Sequence, residues 1–313
     1  MPTLIARRLA LSVPLLVMVT AVTFVLESLV PGDTARALIG ASGSTEAYNK
    51  LRDQLGLDKP LWSQYGHYLD TLLHGSLGTS VFTGQPVSAT LNQRLPVTLS
   101  LVLLATVFAA VVGILLGVVS AVRGGVLGRF VEALSLVGLA LPGFWVALVL
   151  VEALAVALRA FPATGYVSPT QSFGTWLWAL CLPVTALGLV GIASIAKQTR
   201  DSMKDALASN YIRTLRANGI PRRSIIWKHA LRNGAIPVVT VIGLAFVSAL
   251  SASVFIEAVF VLPGLGSIAV NATNEHDIPV IEGAVLYFTV LVVIVNLVLD
   301  VLYGLLNPKV RHQ

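Results

Sequence analysis

Five acidic residues of this 313-residue chain lie in or near long apolar segments: Glu27, Glu132, Glu152, Glu257 and Asp300. Carboxylates in such segments are candidates for handling ions or protons, because a charge is costly in an apolar environment. A proton-coupled carrier would be expected to place several carboxylates or histidines in mid-segment. The five histidines instead fall in loops or at the C-terminus. We therefore favour a structural role for each carboxylate, and a functional role stays open.

The chain has no pattern typical of nucleotide, metal or covalent chemistry. No lysine follows a glycine anywhere, so the Gly-Lys of a phosphate-binding Walker A loop is absent. Cys181 is the only cysteine, which excludes an intramolecular disulfide. The sequence predicts a chain that is not an enzyme, with no catalytic residue, metal ligand or cofactor site of its own.

The composition is that of a membrane protein. Hydrophobic residues make up 56% of the chain and charged residues 12%, whereas soluble domains devote about a quarter of their residues to charge. Six apolar runs are long enough to cross a bilayer, and each must be helical to satisfy its own backbone hydrogen bonds. The predicted fold is therefore an all-α membrane protein with six transmembrane helices: Leu9–Val30, Val97–Val122, Phe130–Leu158, Leu177–Ala196, Ala235–Leu262 and Glu282–Leu306.

The distribution of basic residues predicts the orientation of these helices. If all six runs cross the membrane, 15 of the 21 Lys and Arg residues lie on the side of the N-terminus. The positive-inside rule then places both termini in the cytoplasm. The first run resembles a secretory signal, but it is long and the following "SLVPGDTARA" is a poor cleavage site, so we predict an uncleaved anchor.

A large loop after the first run is predicted to be external and helical. Ser44 can cap a helix that ends at Leu55 before Gly56, and Pro60 can begin a second helix. In the second helix, an apolar face recurs at helical spacing: Leu61, Tyr65, Tyr68, Leu69 and Leu72. The loop is either a structural cap on the spans or a docking surface for an external binding protein. The candidate contacts for docking are Ser44, Glu46, Lys50 and Arg52.

A second long segment, residues 197–234, is basic and predicted to be cytoplasmic. It contains "YIRTLRANGIPRRSIIWKHALRNGAIP", Tyr211 to Pro237. Gly219 is placed to end an amphipathic helix in a left-handed conformation, and Pro221 can begin the next helix. An amphipathic helix without a core of its own either lies on lipid or inserts into a groove of another protein, and the rigid glycine turn favours a protein.

This segment resembles the coupling motif of permease subunits of ABC importers. "YIRTLRANG", followed ten residues after Gly219 by His229 in "HALRN", is similar to the dipeptide, oligopeptide and nickel permease family, in its first-subunit (B-type) branch. "LGLDKPLWSQYGHYL", "GSLGTS", "RLPVTLSL" and "IEAVFVLPGLG" resemble other parts of that branch, in the same order along the whole chain. The resemblance implies the type I importer permease fold.

The resemblance also assigns candidate site residues. Gly219 matches the glycine of the motif, and Arg213, Thr214 and Leu215 stand where the general motif has Glu-Ala-Ala and this branch commonly has Arg-Thr-Ala. Ser76 replaces a commoner aspartate in the external motif. The predicted ATPase-coupling residues are Leu207, Tyr211, Ile212, Arg213, Thr214, Leu215, Ala217, Gly219, Ile220 and His229.

Ser248, Ser251 and Ser253 are candidates for lining a translocation pathway, although helix-packing hydrogen bonds explain them almost as well.

The implied function is that of a membrane permease subunit in an ATP-driven importer of di- or oligopeptides. Its expected partners are a second homologous permease subunit, two ABC ATPase domains that bind ATP and Mg²⁺, and an external solute-binding protein. Nickel or another small solute is an alternative cargo, and a stand-alone secondary carrier is a different class. We expect a bacterial or archaeal cell membrane as the location. The predicted domains are residues 1–96, the first helix with its loop, and residues 97–313, a five-helix permease core.

Overall fold

The computed structural model describes residues 2–30, 32, 34–40 and 43–306. Within them the chain is helical, and its one extended pairing is an isolated bridge between Thr79 and Pro86. The helices are α1 Pro2–Leu29, α2 Thr34–Ile39, α3 Thr45–Leu55, α4 Leu61–Leu73, α5 Val87–Arg123, α6 Gly125–Ala140, α7 Gly143–Leu150, α8 Phe173–Ala208, α9 Asn210–Ala217, α10 Arg222–Ser224, α11 Leu231–Asn233, α12 Ala235–Phe260, α13 Leu265–Glu275 and α14 Ile278–Leu306. Two π-helical stretches continue α7 and join α10 to α11: Val151–Ala157 and Ile225–Ala230. The predicted all-α class is confirmed.

Five of the described helices, α1, α5, α8, α12 and α14, are long and apolar enough to cross a membrane. Each overlaps one of the six predicted spans, and α5 and α8 extend about ten residues beyond theirs. The remaining predicted span, Phe130–Leu158, is sharply bent in the structure. It consists of two helical pieces, Gly128–Gly138 and Gly143–Ala157, whose axes differ by 101°.

The break lies at Leu141 and Pro142. Pro142 lacks an amide hydrogen and disfavours the helical conformation in the residue before it, and Leu141 is extended, with ψ 129°. The helix resumes at Gly143 with Pro142 as its N-cap residue. Apolar composition alone does not reveal this break, because the residues on both sides of it are mostly apolar.

The described chain divides into two compact units. Of the described residues, the core unit comprises 99–262 and 295–306, and the N-terminal unit comprises those within 2–98 and 263–294. The N-terminal unit therefore includes α13 and the first part of α14, far away in sequence, which the predicted division between residues 96 and 97 did not include.

In the core unit, α8 is the central helix, with α6, α7 and α12 packed against it. α5 also approaches α8 closely. A Cβ atom at Gly117 would lie 2.5 Å from the Cβ atom of Thr199 and 2.6 Å from the carbonyl oxygen of Ala196. Glycine is thus required at position 117 for the backbones to come this close.

In the N-terminal unit, the predicted helical loop is confirmed in detail. The Ser44 hydroxyl accepts a hydrogen bond from the Ala47 amide at 3.2 Å, and Gly56 after α3 has φ +67°. α4 follows Pro60 and lies against α1, where the Tyr65 hydroxyl donates to the carbonyl oxygen of Val17 at 2.9 Å.

Buried polar contacts join the sequence-distant parts of this unit. The Ser80 hydroxyl donates to the buried Asp277 carboxylate at 2.5 Å, and the Thr34 hydroxyl donates to the carbonyl oxygen of His276 at 2.7 Å. The Leu265 amide donates to the Thr98 hydroxyl at 2.8 Å. These bonds fix the loop before α5 and the turn between α13 and α14.

Candidate functional site

The glycine turn of the basic segment has the predicted geometry. Gly219 has φ +73°, its amide donates to the carbonyl oxygen of Arg216 at 3.1 Å, and the Ile220 amide donates to that of Leu215, also at 3.1 Å. These two bonds form a Schellman motif, which ends α9 and satisfies its last carbonyl groups. Pro221 is the N-cap residue of the helix that starts at Arg222. The segment from Ser209 to Asn233 is therefore a helix, a tight turn and a second helix; we call it the basic hairpin.

Ile212 anchors the basic hairpin to the rest of the core unit. Its side chain is completely buried in a cluster with Val118 of α5, Met203 and Ala206 of α8, and Ile225 and Ala230 of the π-helix. Leu207, Leu215 and Ile220 are partly buried against the same cluster.

The expectation that Ile212 presents its side chain to a partner groove is thus wrong. An amphipathic helix buries its apolar face somewhere, and α9 buries Ile212 in its own chain.

The opposite face of α9 is exposed. Tyr211, Arg213, Thr214 and Ala217 are accessible to solvent, as is Gly219 in the turn. The Tyr211 hydroxyl accepts a hydrogen bond from the Asn233 amide group at 3.2 Å, which ties the two ends of the basic hairpin together. This face is a rigid surface with positive charge.

The second helix of the hairpin contains a π-helical stretch, Ile225–Ala230, that carries Lys228 and the half-buried His229. π-Helical turns inside α-helices occur frequently at functional sites. Arg222 donates to the carbonyl oxygen of Val122 at 3.4 Å, so the start of this helix also contacts the end of α5. The hairpin therefore contacts the rest of the core unit through both of its helices, at Ile212 and at Arg222.

A cavity of about 780 Å³ lies in the core unit. Its lining is mostly apolar, with hydroxyl groups from Thr106, Ser194, Ser248 and Ser251. Ser253, in contrast, is completely buried, and its hydroxyl donates to the carbonyl oxygen of Leu250 at 2.8 Å. Of the three predicted pathway serines, the structure brings Ser248 and Ser251 to a cavity and places Ser253 in helix packing.

Glu132 forms an ion pair with Arg200 at 2.8 Å within the core unit, which supports the structural role favoured from the sequence. Glu257 is fully buried near the end of α12. Among the described residues, no group of three or more His, Cys, Asp or Glu side chains is placed to hold a metal ion.

Sequence reasoning overlooked Glu282. It is the fifth residue of α14 and is completely buried. The sequence shows it only as an acidic residue at the start of the apolar run Glu282–Leu306, which marks the boundary of a predicted span.

The candidate contacts for a binding protein have two different environments. Ser44 caps α3, and Arg52 is bonded to Asp58 at 2.5 Å and to the Tyr48 hydroxyl at 2.9 Å. The hydrogen bond that Arg52 donates to the Asp58 carboxylate raises the pKa of Arg52 above its usual value. Glu46 and Lys50 are exposed on α3. Of the four candidates, only Glu46 and Lys50 have side chains for which the structure describes no hydrogen bond or ion pair.

Ser76, the departure from the external motif, has an evident role in a turn. Its hydroxyl accepts a hydrogen bond from the Gly78 amide at 3.1 Å. An aspartate side chain offers the same kind of acceptor two residues before an amide. The substitution therefore conserves the turn.

Comparison with known proteins agrees with this arrangement. Residues 113–312 match the family model described as the binding-protein-dependent transport system inner membrane component. Residues 1–102 match the model for the N-terminal part of such membrane components. The chain belongs to this family. It is a multi-pass membrane protein of a transport system.

Curated relatives match over essentially their whole length. A putative peptide transport system permease protein of Brucella abortus (strain 2308) is 40% identical over 314 residues, covering 100% of both chains. The dipeptide transport system permease protein DppB of Escherichia coli (strain K12) is 37% identical, with 99% of this chain and 98% of the relative covered.

A solved structure supports the fold. The MetNI methionine ABC transporter, in inward-facing conformations, matches with a TM-score of 0.59 and 17% identity, covering 70% of this chain and 97% of that chain. At this identity the likeness concerns the fold alone, which is that of an ABC importer permease.

Proposed function

We propose that this chain is the membrane permease subunit of an ATP-driven peptide importer. The observation that carries the proposal is the basic hairpin, a rigid and positively charged surface on a member of a binding-protein-dependent transport family. Relatives at 37–40% identity are described as peptide or dipeptide permeases. Peptides are therefore the cargo that the comparisons favour over nickel or another small solute.

The hairpin is built to transmit motion as one body. Its apolar side packs on α5 and α8 through Ile212, and its two ends are tied by the bond between Tyr211 and Asn233. A displacement of the exposed face of α9 therefore moves the ends of α5 and α8. An ATPase that contacts this face differently with and without ATP would couple nucleotide state to the helices of the core unit.

The remaining parts of the transporter follow from this role. We infer that a second permease subunit completes the pathway, that two ATPase domains bind ATP and Mg²⁺, and that this chain binds no cofactor itself. We place the hairpin and both termini in the cytoplasm and the α2–α4 region outside a bacterial or archaeal cell membrane. There Glu46 and Lys50 face an external binding protein. Within the core unit, the cavity with Ser248 and Ser251 is the candidate pathway.

Reconstitution tests the proposal. The chain is purified with the transport subunits encoded beside its gene and inserted into vesicles, and uptake of a radiolabelled dipeptide is measured. We expect uptake to require ATP, the binding protein and an ATPase capable of hydrolysis. Uptake without any ATPase would instead indicate a secondary carrier. A fully assembled complex that takes up neither the dipeptide nor a labelled oligopeptide would exclude peptides as cargo.

A further inference from the structure

The basic hairpin carries more positive charge than its exposed α9 face accounts for. Six of its 25 residues, Ser209 to Asn233, are arginine or lysine, and none is aspartate or glutamate. Only Arg213 belongs to the face of α9 that we assign to the ATPase. The structure describes no ion pair for the other five: Arg216, Arg222, Arg223, Lys228 and Arg232. These side chains are available for an anionic partner outside the chain.

Two of these arginines line a cavity of about 510 Å³ between the hairpin and the ends of α5 and α8. Arg216 comes from α9 and Arg222 from the start of the second helix. The other lining residues are all apolar and include Val122 and Ile226. Within the described part of the chain, no carboxylate lines this cavity. It thus combines two positive charges with an apolar wall, unlike the candidate pathway, whose lining carries no charged residue.

Both arginine side chains are exposed, so a ligand in the cavity can reach them. Arg216 lies about one helical turn after the buried Ile212, on the side where α9 packs on α5 and α8 and away from Thr214. Arg222 donates to the carbonyl oxygen of Val122 at 3.4 Å, which holds its guanidinium at the end of α5. A guanidinium carries several N–H donors, so this bond leaves most of them for a ligand.

The end of α5 places the cavity at the membrane surface. Val122 is the last residue of the predicted span that begins at Val97. One turn before it, Val119 is an exposed apolar side chain, as expected for a helix that faces lipid. Trp227, which follows the lining residue Ile226, is also exposed, and tryptophan is enriched where membrane and water meet. With the hairpin in the cytoplasm, the cavity lies at the level of the inner-leaflet headgroups.

The chemistry of the cavity fits the headgroup of an anionic phospholipid. Guanidinium groups bind phosphate oxygens through paired, charge-assisted hydrogen bonds. The cytoplasmic leaflet is negatively charged and attracts basic segments that lie close to the membrane. A free phosphate would engage the two arginines but leave the apolar wall in contact with water. A phospholipid supplies a phosphate for the arginines and hydrocarbon for the wall, so it matches both halves of the cavity.

We propose that Arg216 and Arg222 bind the phosphate of an anionic phospholipid in the cytoplasmic leaflet, with hydrocarbon of the same lipid against Val122 and Ile226. The lipid contacts the side of the hairpin that packs on the core unit, whereas the ATPase contacts the opposite face of α9. The bound lipid then joins the hairpin to the end of α5. The inference rests on the proposed cytoplasmic orientation of the hairpin and is independent of the cargo.

Lipid binding to the complete transporter tests this site. The permease and ATPase complex is purified in a non-ionic detergent and titrated with dioleoyl phosphatidylglycerol or dioleoyl phosphatidylcholine, and native mass spectrometry gives the apparent affinity of the first lipid bound. We expect phosphatidylglycerol to bind at least about tenfold more tightly, because the cationic choline group opposes the arginines. Inorganic phosphate at the same concentration should not displace it. This comparison uses the unaltered protein, so it does not depend on whether a variant folds.

Two double variants with the same loss of charge locate the site. Arg216→Gln combined with Arg222→Gln should weaken phosphatidylglycerol binding at least about tenfold, since both charge-assisted contacts become neutral. Arg223→Gln combined with Arg232→Gln removes two exposed arginines of the hairpin that do not line the cavity, and this matched control should bind as the unaltered protein does. A general attraction between a basic segment and an anionic lipid would weaken both variants equally.

Three results would overturn the inference: equal affinity for the two lipids, equal phosphatidylglycerol affinity of the two double variants, or displacement of the lipid by inorganic phosphate, which would indicate a site for a soluble anion. Loss of the ATPase from the Arg216→Gln, Arg222→Gln complex without a change in lipid binding would also overturn it, and would identify an acidic side chain of the ATPase as the occupant. ATP-driven dipeptide uptake is measured in parallel. Normal uptake without lipid selectivity would remove the site and leave the proposed function standing.

Discussion

A side chain at position 219 would destabilise the turn through the backbone conformation and not through a steric clash. Gly219 has φ +73°, and no atom outside its chain neighbours lies within 4 Å of the place where a Cβ atom would stand. A substitution there meets no steric obstacle in the surroundings. It acts only through the preference of the new residue for negative φ, which amounts to roughly 1 kcal/mol or more.

Two substitutions at this residue separate backbone geometry from side-chain loss. Gly219→Asn should keep most ATP-driven uptake, because asparagine tolerates the left-handed conformation, whereas Gly219→Val should reduce uptake strongly, because a β-branched residue is an outlier there. Uptake in reconstituted vesicles measures the effect, and co-purification of the ATPase checks assembly. Equal uptake by the two variants would show that the turn geometry is unimportant.

At position 212 the expected effect is on stability. Ile212→Asp would bury a carboxylate in an apolar cluster, which we expect to cost on the order of 3 kcal/mol or more. Arg213→Glu, on the exposed side of α9, should leave stability unchanged and weaken ATPase binding. The thermal unfolding midpoint and the amount of co-purified ATPase distinguish the two. A normal midpoint for Ile212→Asp would contradict the observed packing.

At the scale of elements, helix caps explain why the loop before α5 is ordered. Ser44→Ala removes the hydroxyl that accepts from the Ala47 amide, at a cost of about 1 kcal/mol in helix stability. Hydrogen exchange of the Tyr48 amide, which donates to the carbonyl oxygen of residue 44 at 3.0 Å, should become roughly fivefold faster if opening of α3 limits exchange. Ser44→Asp retains an acceptor and should restore protection. Unchanged exchange in Ser44→Ala would show that the cap contributes nothing.

These elements also show which features the sequence can predict. The boundaries of α3 and α9 follow from Ser44, Gly56 and Gly219, because caps are local and each depends on one side chain or one φ value. Pro142 inside an apolar run is compatible with a bend, but hydropathy averages over a window and cannot predict an angle of 101° between the two pieces. Local rules thus predict the helix ends but not the size of the bend within a span.

The candidate site was only partly predictable, for a similar reason. The spacing of Ile212 identifies an apolar face, but whether that face meets its own chain or a partner depends on α5, α8 and the π-helix. Glu282 becomes notable only through its neighbours Tyr68 and Glu27, which come from other helices of the N-terminal unit. Such groupings are tertiary, and no pattern within one segment reveals them.

At the scale of the whole molecule, the charge asymmetry predicts a single topology. Most lysines and arginines lie in the basic hairpin, at the chain ends or close to the turn between α5 and α6, while the α2–α4 region holds fewer. The positive-inside rule then predicts that the hairpin is inside and α3 outside. In the proposed transporter, this orientation brings the ATPase to the hairpin and the binding protein to α3.

Cysteine labelling in whole spheroplasts tests that topology. Glu46→Cys on α3 and Asn210→Cys on α9 are made separately after Cys181→Ala, and both positions are exposed, so accessibility depends only on the side of the membrane. A membrane-impermeant maleimide should label position 46 at once and position 210 only after permeabilisation. In inverted vesicles the order should reverse. Labelling of position 210 from outside sealed spheroplasts would overturn the orientation, and with it the assignment of the hairpin to a cytoplasmic ATPase.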